Sequence, residues 1–253
     1  MKFSIVLPTW NGEKTIEETL YCVSNLIINE MFDFELILCD DKSSDRTISI
    51  AESFKNKNKI KNFKIVKNTD NLGYPGNIRR TAKHSSGEYL FLLGQDDLIP
   101  KDILVHYFEI LKDNTVGAIC RPYYAFDVSY KKPIRYKQLV TKDQTKPIKI
   151  SINDEPEKVH KVFSTLDQLS SLCLKKKWIE KDFHDDVFPC HVYPFMSIFI
   201  KHPVVFTNKY SVAVRVNSSQ CINVSGIYDK SPIESWVQML KSFNYDNELK
   251  NYL

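Results

Sequence analysis

Two stretches of this sequence, FELILCDD at residues 34–41 and YLFLLGQDD at residues 89–97, decide its fold class. Each is a continuous apolar run of strand length, and each ends in a pair of aspartates. Strands that are apolar on both faces are typical of a parallel sheet with helices on both sides. Ligands of such sheets bind beyond the carboxyl ends of the strands. Both aspartate pairs are therefore predicted to lie at a ligand-binding edge.

The residues around these two runs alternate between strand and helix patterns. Further strands are predicted at residues 3–7, 63–66 and 116–120, and helices at residues 15–28, 45–54, 77–86 and 102–111. This alternation indicates an α/β fold, with a mostly parallel central sheet flanked by helices in one compact domain. The regular pattern ends near residue 120, so residues 1–120 are predicted to form one half of the domain.

After residue 130 the sequence changes in character. Residues 131–161 hold many lysines and few apolar runs, which predicts an exposed excursion from the second half, residues 121–253. Order is expected to resume near residue 166, with strands at 204–206 and 212–216. A closing helix is predicted at residues 231–243, with Pro232 in its first turn.

Composition narrows the class of protein further. Among 253 residues, 43% are hydrophobic and the net charge is +4, which indicates a globular chain and is too weakly basic to imply nucleic acid. No apolar run reaches the roughly 18–20 residues of a membrane span, and the apolar run at the N-terminus is too short for a signal peptide. The six cysteines form no Cys-x-x-Cys pair and are expected to be reduced thiols. These features predict a cytoplasmic protein.

The two aspartate pairs are Asp40-Asp41 and Asp96-Asp97. Adjacent carboxylates repel each other, so two pairs at one edge destabilise the fold unless a cation or hydrogen-bond donors engage them. A divalent metal held by one or two carboxylates and by substrate phosphates would relieve that repulsion. The alternative is that these aspartates are turn and helix-capping residues in solvent.

Four ordered motifs resemble those of the family 2 inverting glycosyltransferases: SIVLPTWNG at 4–12, CDDKSSDRT at 39–47, NLG at 71–73 and GEYLFLLGQDD at 87–97. The resemblance covers residues 3–112 well and the rest loosely. It implies the GT-A (Rossmann-like) fold, with a nucleotide-sugar-binding half at residues 1–120 and an acceptor-binding half at residues 121–253. It also implies a nucleotide-sugar donor and a divalent metal, Mg²⁺ or Mn²⁺.

The resemblance also implies roles for single residues. Pro8 and Trp10 would line the base pocket, and Asp41 would accept a hydrogen bond from the ring N–H of uracil or thymine, which favours a UDP- or dTDP-sugar. Asp97 would hold the metal against the diphosphate, and Asp96 would contact the metal or the ribose. Further donor-site residues by position are Asn11, Asp40 and Gly73. The usual acidic motif opens with Asp where this chain has Gly94, which leaves a catalytically weakened nucleotide-sugar-binding or scaffold subunit as an alternative.

Inverting transfer also needs a carboxylate that takes the proton of the acceptor hydroxyl. Residues 183–189, FHDDVFP, resemble the family's acidic pair in the second half, so Asp186 is predicted as the base, with Asp185 next. His191 is expected to shape the acceptor pocket. A zinc site in residues 184–191 is disfavoured because the spacing does not match a paired structural site.

Two arginines complete the predicted site. Arg79 would neutralise diphosphate charge or be a solvated helix residue, and Arg215 would pair with phosphate oxygens or form a structural ion pair. The expected activity is hexosyl or N-acetylhexosaminyl transfer to a glycan or lipid-linked acceptor, in bacterial surface polysaccharide synthesis such as that of lipopolysaccharide. Lysines at 131–161 and 175–177 would contact the anionic inner membrane or be solvated. A sugar-nucleotide pyrophosphorylase is less favoured, because residues 8–12 are not the glycine-rich phosphate loop that it needs.

Overall fold

The computed structural model describes residues 1–28, 30–58, 60, 62–136, 140, 144–216 and 229–244. Its strands are β1 (Lys2–Thr9), β2 (Asp33–Asp40), β3 (Phe63–Lys67), β4 (Tyr89–Leu92), β5 (Ala118–Cys120), β6 (Tyr124–Phe126), β7 (Arg135–Tyr136), β8 (Ile148–Ile150), β9 (Cys173–Lys175), β10 (Val204–Phe206) and β11 (Ala213–Arg215). Its helices are α1 (Ile16–Ser24), α2 (Thr47–Asn58), α3 (Gly73–Lys83), α4 (Ile103–Leu111), α5 (Pro156–Phe163), α6 (Val192–Phe199) and α7 (Pro232–Lys241).

Eight strands form the central sheet, in the order β3-β2-β1-β4-β9-β5-β10-β8. Strands β3, β2, β1 and β4 pair in parallel, as the continuous apolar runs predict. Strand β9 runs antiparallel between β4 and β5, and β8 runs antiparallel to β10 at the edge. The mostly parallel sheet of the prediction is confirmed, with two antiparallel strands added.

Side chains of the sheet point alternately to two apolar layers. On β1, Ile5 and Leu7 pack in one core with α1 and α4, while Val6 packs in the other with residues of α3, α5 and α6. This is the expected result for strands buried on both faces. No helix in the described ranges is long and apolar enough to cross a membrane.

Several boundaries differ from the predicted ones. Pro8 lies inside β1, beside Cys39 of β2, instead of ending the strand. Helix α1 ends at Ser24, so its predicted last turn is irregular chain. Helix α3 begins at Gly73, four residues before the predicted start. Pro75 falls in its first turn. Proline is tolerated there because the N–H groups of the first turn have no acceptor within the helix.

The prediction of one exposed excursion at residues 131–161 is wrong in part. Strand β8 adds to the edge of the central sheet through pairing with β10, and α5 buries Val159 and Val162 in the second core. Strands of two or three residues are too short to show a period, so the lysine-rich composition hid them. Residues 131–136, apart from a half-buried Pro133, and residues 145–147 and 155–158 are exposed as predicted.

The lysine cluster at residues 175–177 was predicted to face a membrane or solvent, and this too is wrong in part. Lys175 is buried, its Nζ donates to the Asn114 carbonyl oxygen at 2.9 Å, and it lies 4.0 Å from the Trp178 ring centre. Lys176 is half-buried and donates to the Ser85 carbonyl oxygen. Only Lys177 is exposed.

Candidate active site

The two aspartate pairs lie at one edge of the sheet. Strand β1 is paired in parallel with β2 on one side and with β4 on the other, so the carboxyl ends of all three are adjacent. The Asp41 N–H donates to the Thr9 carbonyl oxygen at 2.8 Å, which joins the end of β2 to the end of β1. The predicted convergence of Asp41 with the β4 end is therefore present in the structure.

A glutamine that no sequence motif singles out, Gln95, links β1 to the second aspartate pair. The Trp10 N–H donates to Gln95 Oε1, and Gln95 Nε2 donates back to the Trp10 carbonyl oxygen, both at 2.9 Å. A Cβ at Gly12 would lie 2.5 Å from Gln95 Oε1, so a side chain here would displace the Gln95 amide from these bonds. Gln95 thus holds the Trp10 loop against the residues that precede Asp96.

Asp41 is buried at the bottom of this edge and is held by donors from the loop before α3. Its Oδ1 accepts from Asn68 Nδ2 and from the Leu72 N–H, both at 2.8 Å. The loop turns at Gly73, whose φ of +69° is in the region that favours glycine. Gly73 therefore acts on the site through the backbone at the start of α3.

Asp40 and Asn11 shape the loops at the same edge. The Asp40 carboxylate accepts from the Ser43 N–H at 2.9 Å and from the Ser43 hydroxyl at 2.5 Å. The Asn11 N–H donates to the same Ser43 hydroxyl oxygen, and Asn11 Oδ1 accepts from the Ser44 N–H. The sequence left open whether Asp40 is a turn residue or a ligand-binding residue. Its bonds to Ser43 are those of a turn residue.

Asp97 is buried at the end of β4, and Asp96 is partly exposed beside it. Asp97 Oδ1 accepts from the Arg215 N–H at 3.0 Å, and its Oδ2 accepts from the Ser170 hydroxyl at 2.5 Å. Burial raises the pKa of the Asp97 carboxyl well above its ordinary range, and the charge of Asp96 raises it further. A nearby cation would remove that penalty on the charged form.

Gly94 explains how the two carboxylates approach each other. A Cβ at this position would lie 3.0 Å from Asp97 Oδ2 and 3.2 Å from Asp96 Oδ1. Both oxygens therefore border the small space that Gly94, the residue that departs from the family motif, leaves open. Among the described residues, no group of three or more His, Cys, Asp or Glu side chains is placed to hold a metal. A carboxylate pair suits a metal whose other ligands are phosphates and water.

A buried arginine holds the loop that carries Ser170. The Arg121 guanidinium donates to the carbonyl oxygens of Thr165, Gln168 and Ser170, each at 2.7 Å. The Ser170 hydroxyl oxygen also accepts from the Gly94 N–H at 2.7 Å, so its own proton is directed at Asp97. The sequence carries no local signal for Arg121 or Ser170, because their partners lie far away along the chain.

Arg215 lies beside Asp97 and Asp96. Its Nε donates to the Asp96 carbonyl oxygen at 3.2 Å, and its guanidinium forms an ion pair with Glu18. The ring of Phe126 is 4.6 Å from the guanidinium carbon. Arg215 therefore forms the structural ion pair that was one of its two predicted roles. Its side chain also borders Asp96.

The predicted bases form ion pairs with cations and not with residues of the sheet edge. Asp185 is an exposed side chain (87%) that pairs with Arg79 at 2.5 Å. Asp186 is largely buried (side chain 8% exposed) and forms an ion pair with Lys230. Arg79 also donates to the Phe183 carbonyl oxygen, so its bonds are to the 182–185 segment and not to the aspartates of the sheet edge.

His191 lies between the two ends of the site and is more central than the sequence predicts. Its Nε2 donates to the Leu166 carbonyl oxygen at 2.8 Å, and its Nδ1 is 3.3 Å from the Tyr74 hydroxyl. Tyr74 follows the loop that holds Asp41, and Leu166 belongs to the Ser170 loop. Burial lowers the pKa of His191 to about 4, so the ring is neutral at pH 7. Both ring nitrogens are engaged, which disfavours the zinc alternative.

A model of the family described as "Glycosyl transferase family 2" matches residues 4–170. The chain belongs to this family. The family 2 resemblance predicted from the four motifs is therefore confirmed. The matched residues include the ends of β1, β2 and β4 and reach Ser170, so they span the Asp41 and Asp97 parts of the site.

Two related sequences place this family 2 chain more closely. It is 38% identical over 108 residues to the poly(ribitol-phosphate) beta-N-acetylglucosaminyltransferase TarS of Staphylococcus aureus, covering 41% of this chain and 18% of that protein. It is 28% identical over 212 residues to the abequosyltransferase RfbV of Salmonella typhimurium, covering 79% and 61%. The chain thus spans less than a fifth of TarS and under two thirds of RfbV.

Solved structures confirm the fold. The crystal structure of S. aureus TarS 1–349 in complex with UDP matches with a TM-score of 0.74 at 18% identity, covering 99% of this chain and 69% of that one. A Pyrobaculum calidifontis mannosyltransferase in complex with GDP-Man and Mn²⁺ matches with a TM-score of 0.63 at 15% identity, covering 98% and 66%. The predicted single-domain GT-A fold is confirmed.

Proposed function

We propose that this chain is an inverting glycosyltransferase that moves a sugar from a nucleotide-diphosphate donor to a hydroxyl of a glycan or lipid-linked acceptor. A UDP- or dTDP-sugar is the favoured donor. One observation carries the proposal: Asp41 and the Asp96-Asp97 pair, from separate stretches of chain, lie at the ends of adjacent strands and are linked through Trp10 and Gln95.

The two ends of this edge suit the two ends of a nucleoside diphosphate. Asp41 is the proposed acceptor for the base N–H, and Trp10 is the proposed aromatic contact for the base. Asp97 and Asp96 would hold the divalent metal, Mg²⁺ or Mn²⁺, which when bound would neutralise the diphosphate. Arg215, paired with Glu18, also borders that end. The solved TarS complex with UDP and the mannosyltransferase complex with Mn²⁺ support this arrangement.

The chemistry of the step follows from inversion. The acceptor hydroxyl oxygen attacks the anomeric carbon from the face opposite the leaving group, and its proton passes to a base on the protein. The bond from the anomeric carbon to the diphosphate oxygen breaks, and its electrons leave with the nucleotide diphosphate. The chain must therefore supply a proton acceptor on the acceptor side of the sugar.

Asp186 remains the proposed base, with Asp185 as the alternative carboxylate. The Asp186 carboxylate is largely buried and contacts Lys230, and we propose it as the group that accepts the proton. Asp185 is held in the same way by Arg79, which lowers the pKa of its carboxyl. His191 is the competing group, because it lies between the Asp41 loop and the Ser170 loop.

The acceptor class rests on relatives. TarS is named for transfer to poly(ribitol-phosphate), and RfbV is named for transfer of abequose. These names support a role for this chain in bacterial surface polysaccharide synthesis. The proposed location is the cytoplasm or the cytoplasmic face of the membrane.

The donor assignment is tested by calorimetry with UDP and GDP, with and without Mn²⁺. We expect UDP to bind more tightly with Mn²⁺, and Asp97→Ala to lower that affinity by about tenfold or more, since a metal ligand is lost. Asp113→Ala is the matched control, because Asp113 is an exposed carboxylate that precedes β5 and pairs with Lys149, away from the carboxyl ends of the strands. An Asp97→Ala protein with unchanged Mn²⁺-dependent affinity would refute the metal assignment. Tight UDP binding without any donor turnover would favour the scaffold alternative.

The base is tested by release of UDP from UDP-Glc and UDP-GlcNAc with water as acceptor. Asp186→Asn should keep the UDP Kd and lower turnover by about 10²–10⁴-fold, as expected for loss of a general base. Asp182→Asn is the control, because Asp182 is exposed in the same segment. Wild-type turnover in Asp186→Asn, with turnover lost in Asp185→Asn or His191→Gln, would assign the base to that residue instead.

A further inference from the structure

The hairpin between β6 and β7, residues 127–136, exposes apolar side chains. Of the eleven large apolar side chains exposed in the described part of the chain, four lie here. They are Val128 (90% exposed), Ile134 (63%), Tyr136 (54%) and Tyr130 (45%). Such a concentration in ten residues marks an interaction surface more often than chance exposure does.

The same hairpin is positively charged. Lys131, Lys132 and Arg135 are all exposed, and Asp127 is the single acidic residue of the segment. None of the three cations forms an ion pair with a described residue. The charges are thus available to an anionic partner.

The hairpin has a rigid base. Tyr136 of β7 lies opposite Tyr124 of β6, and the Ile134 N–H donates to the Ala125 carbonyl oxygen at 2.8 Å. The rings of Tyr124, Tyr136 and Tyr210 form a cluster with centroid distances of 5.7–6.3 Å. The exposed side chains are therefore presented by a supported sheet.

The hairpin begins at the candidate active site. Strand β6 pairs with β11, whose Arg215 donates its backbone N–H to Asp97 and its Nη1 to the Asp127 carbonyl oxygen at 3.4 Å. A partner bound by the hairpin would thus lie beside the diphosphate end of the site.

We propose that residues 128–136 are a contact surface for an anionic phospholipid bilayer. Tyrosine rings and lysine or arginine side chains are the residues enriched at the membrane interface, and clustered cations bind anionic lipid headgroups. A soluble polyanion would use the cations but has no use for the exposed aliphatic side chains Val128 and Ile134, which favour a bilayer. The surface extends beyond the proposed transfer reaction, because it does not depend on Asp41, Asp97 or the base.

The test is co-sedimentation of the full chain with vesicles of phosphatidylcholine alone and with vesicles that also contain phosphatidylglycerol. We expect binding only to the anionic vesicles, weakened by salt. Lys131→Glu/Lys132→Glu should weaken it about tenfold or more. Val128→Ser/Ile134→Ser should also weaken it while all three cations remain. Lys55→Glu/Lys57→Glu on α2 is the matched charge control and should bind as wild type.

Three results would overturn the proposal: no binding to anionic vesicles, equal loss in the α2 control, or unchanged binding after Val128→Ser/Ile134→Ser. Hairpin-dependent binding to soluble polyphosphate but not to vesicles would assign the surface to a polyanion instead. UDP affinity, measured in parallel, should be the same in all variants, which checks folding. Failure of UDP binding in the wild type would count against the proposed transferase and not against the membrane surface.

Discussion

Gly94 shows how a single residue sets the character of the site. Its missing side chain leaves the space that Asp96 Oδ1 and Asp97 Oδ2 border, and Ser170 Oγ would lie 3.1 Å from an added Cβ. An aspartate at this position would bring a third carboxylate into a region where burial and Asp96 already disfavour the charge of Asp97. The departure from the family motif is thus compatible with a two-carboxylate metal site.

His191 gives a pH-dependent prediction at the same scale. Burial lowers its pKa from 6.5 to about 4, so the folded chain binds fewer protons here than the unfolded chain between those values. The stability that this group contributes is therefore present above pH 6.5 and is lost as the pH falls towards 4. Between pH 7.5 and pH 5 we expect a loss of about 2 kcal/mol from this group.

The measurement is the free energy of unfolding in urea at pH 7.5 and pH 5, for the wild type and for His191→Gln. The variant lacks the titrating ring, so its free energy should fall by less over this range. An equal fall in both proteins would show that His191 is not the group that titrates. His160→Gln, on α5, is a control outside the site.

Among the connecting segments, the loop of residues 165–170 is the one that the site depends on most. Arg121 holds three of its carbonyl oxygens, and Ser170 connects the loop to Gly94 and Asp97. Because the guanidinium is buried, it is stabilised by these bonds and not by water. The loop is thus fixed from the β5 side while its serine orients a carboxylate at the end of β4.

Two substitutions separate these roles. Ser170→Ala should leave the fold intact and lower Mn²⁺-dependent UDP affinity by about 10–100-fold, the usual effect of losing a group that orients a metal ligand. Arg121→Met should destabilise the protein by at least about 3 kcal/mol, because buried carbonyls lose their donors. Calorimetry and urea unfolding measure the two effects, with Ser53→Ala on α2 as the control. Equal UDP affinity in Ser170→Ala and wild type would remove the positioning role.

At the scale of the molecule, the two predicted halves share one sheet. Strand β9, from the second half, lies between β4 and β5 of the first, and β10 continues the sheet beyond β5. The boundary proposed at residue 120 therefore does not separate two cores, and Ser170 and Arg215 of the second half contact Asp97 of the first. Each half supplies strands that the other needs to bury its apolar side chains.

This arrangement predicts that residues 1–120 do not fold alone. In that fragment β5 loses both of its neighbours and β4 loses β9, which exposes buried side chains such as Phe91 and Ile119. Circular dichroism during heating should show a cooperative transition for the full chain and none for the fragment. A fragment that melts cooperatively at the temperature of the full chain would show that the first half is an independent domain.

The predictable part of the fold is the part with long periodic elements. Strands β1, β2 and β4 and helices α2 and α4 are recognisable because an apolar run or a helical stripe is a local property of the sequence. Strands β8 and β9 are not, because three residues carry no period and their place depends on partners about 60 to 90 residues away. The same reason hid α5 within a lysine-rich segment.

By itself, the sequence determined the family, the parallel sheet and the position of Asp41 and Asp97 at the carboxyl-end edge of that sheet, because an apolar strand followed by acidic residues is a contiguous signal. Only the tertiary structure decided that Gln95, Ser170 and Arg121 complete the site, and that Asp40 forms a turn. Those roles arise from hydrogen bonds between groups that are distant along the chain, and such bonds exist only once the sheet has brought the strand ends together.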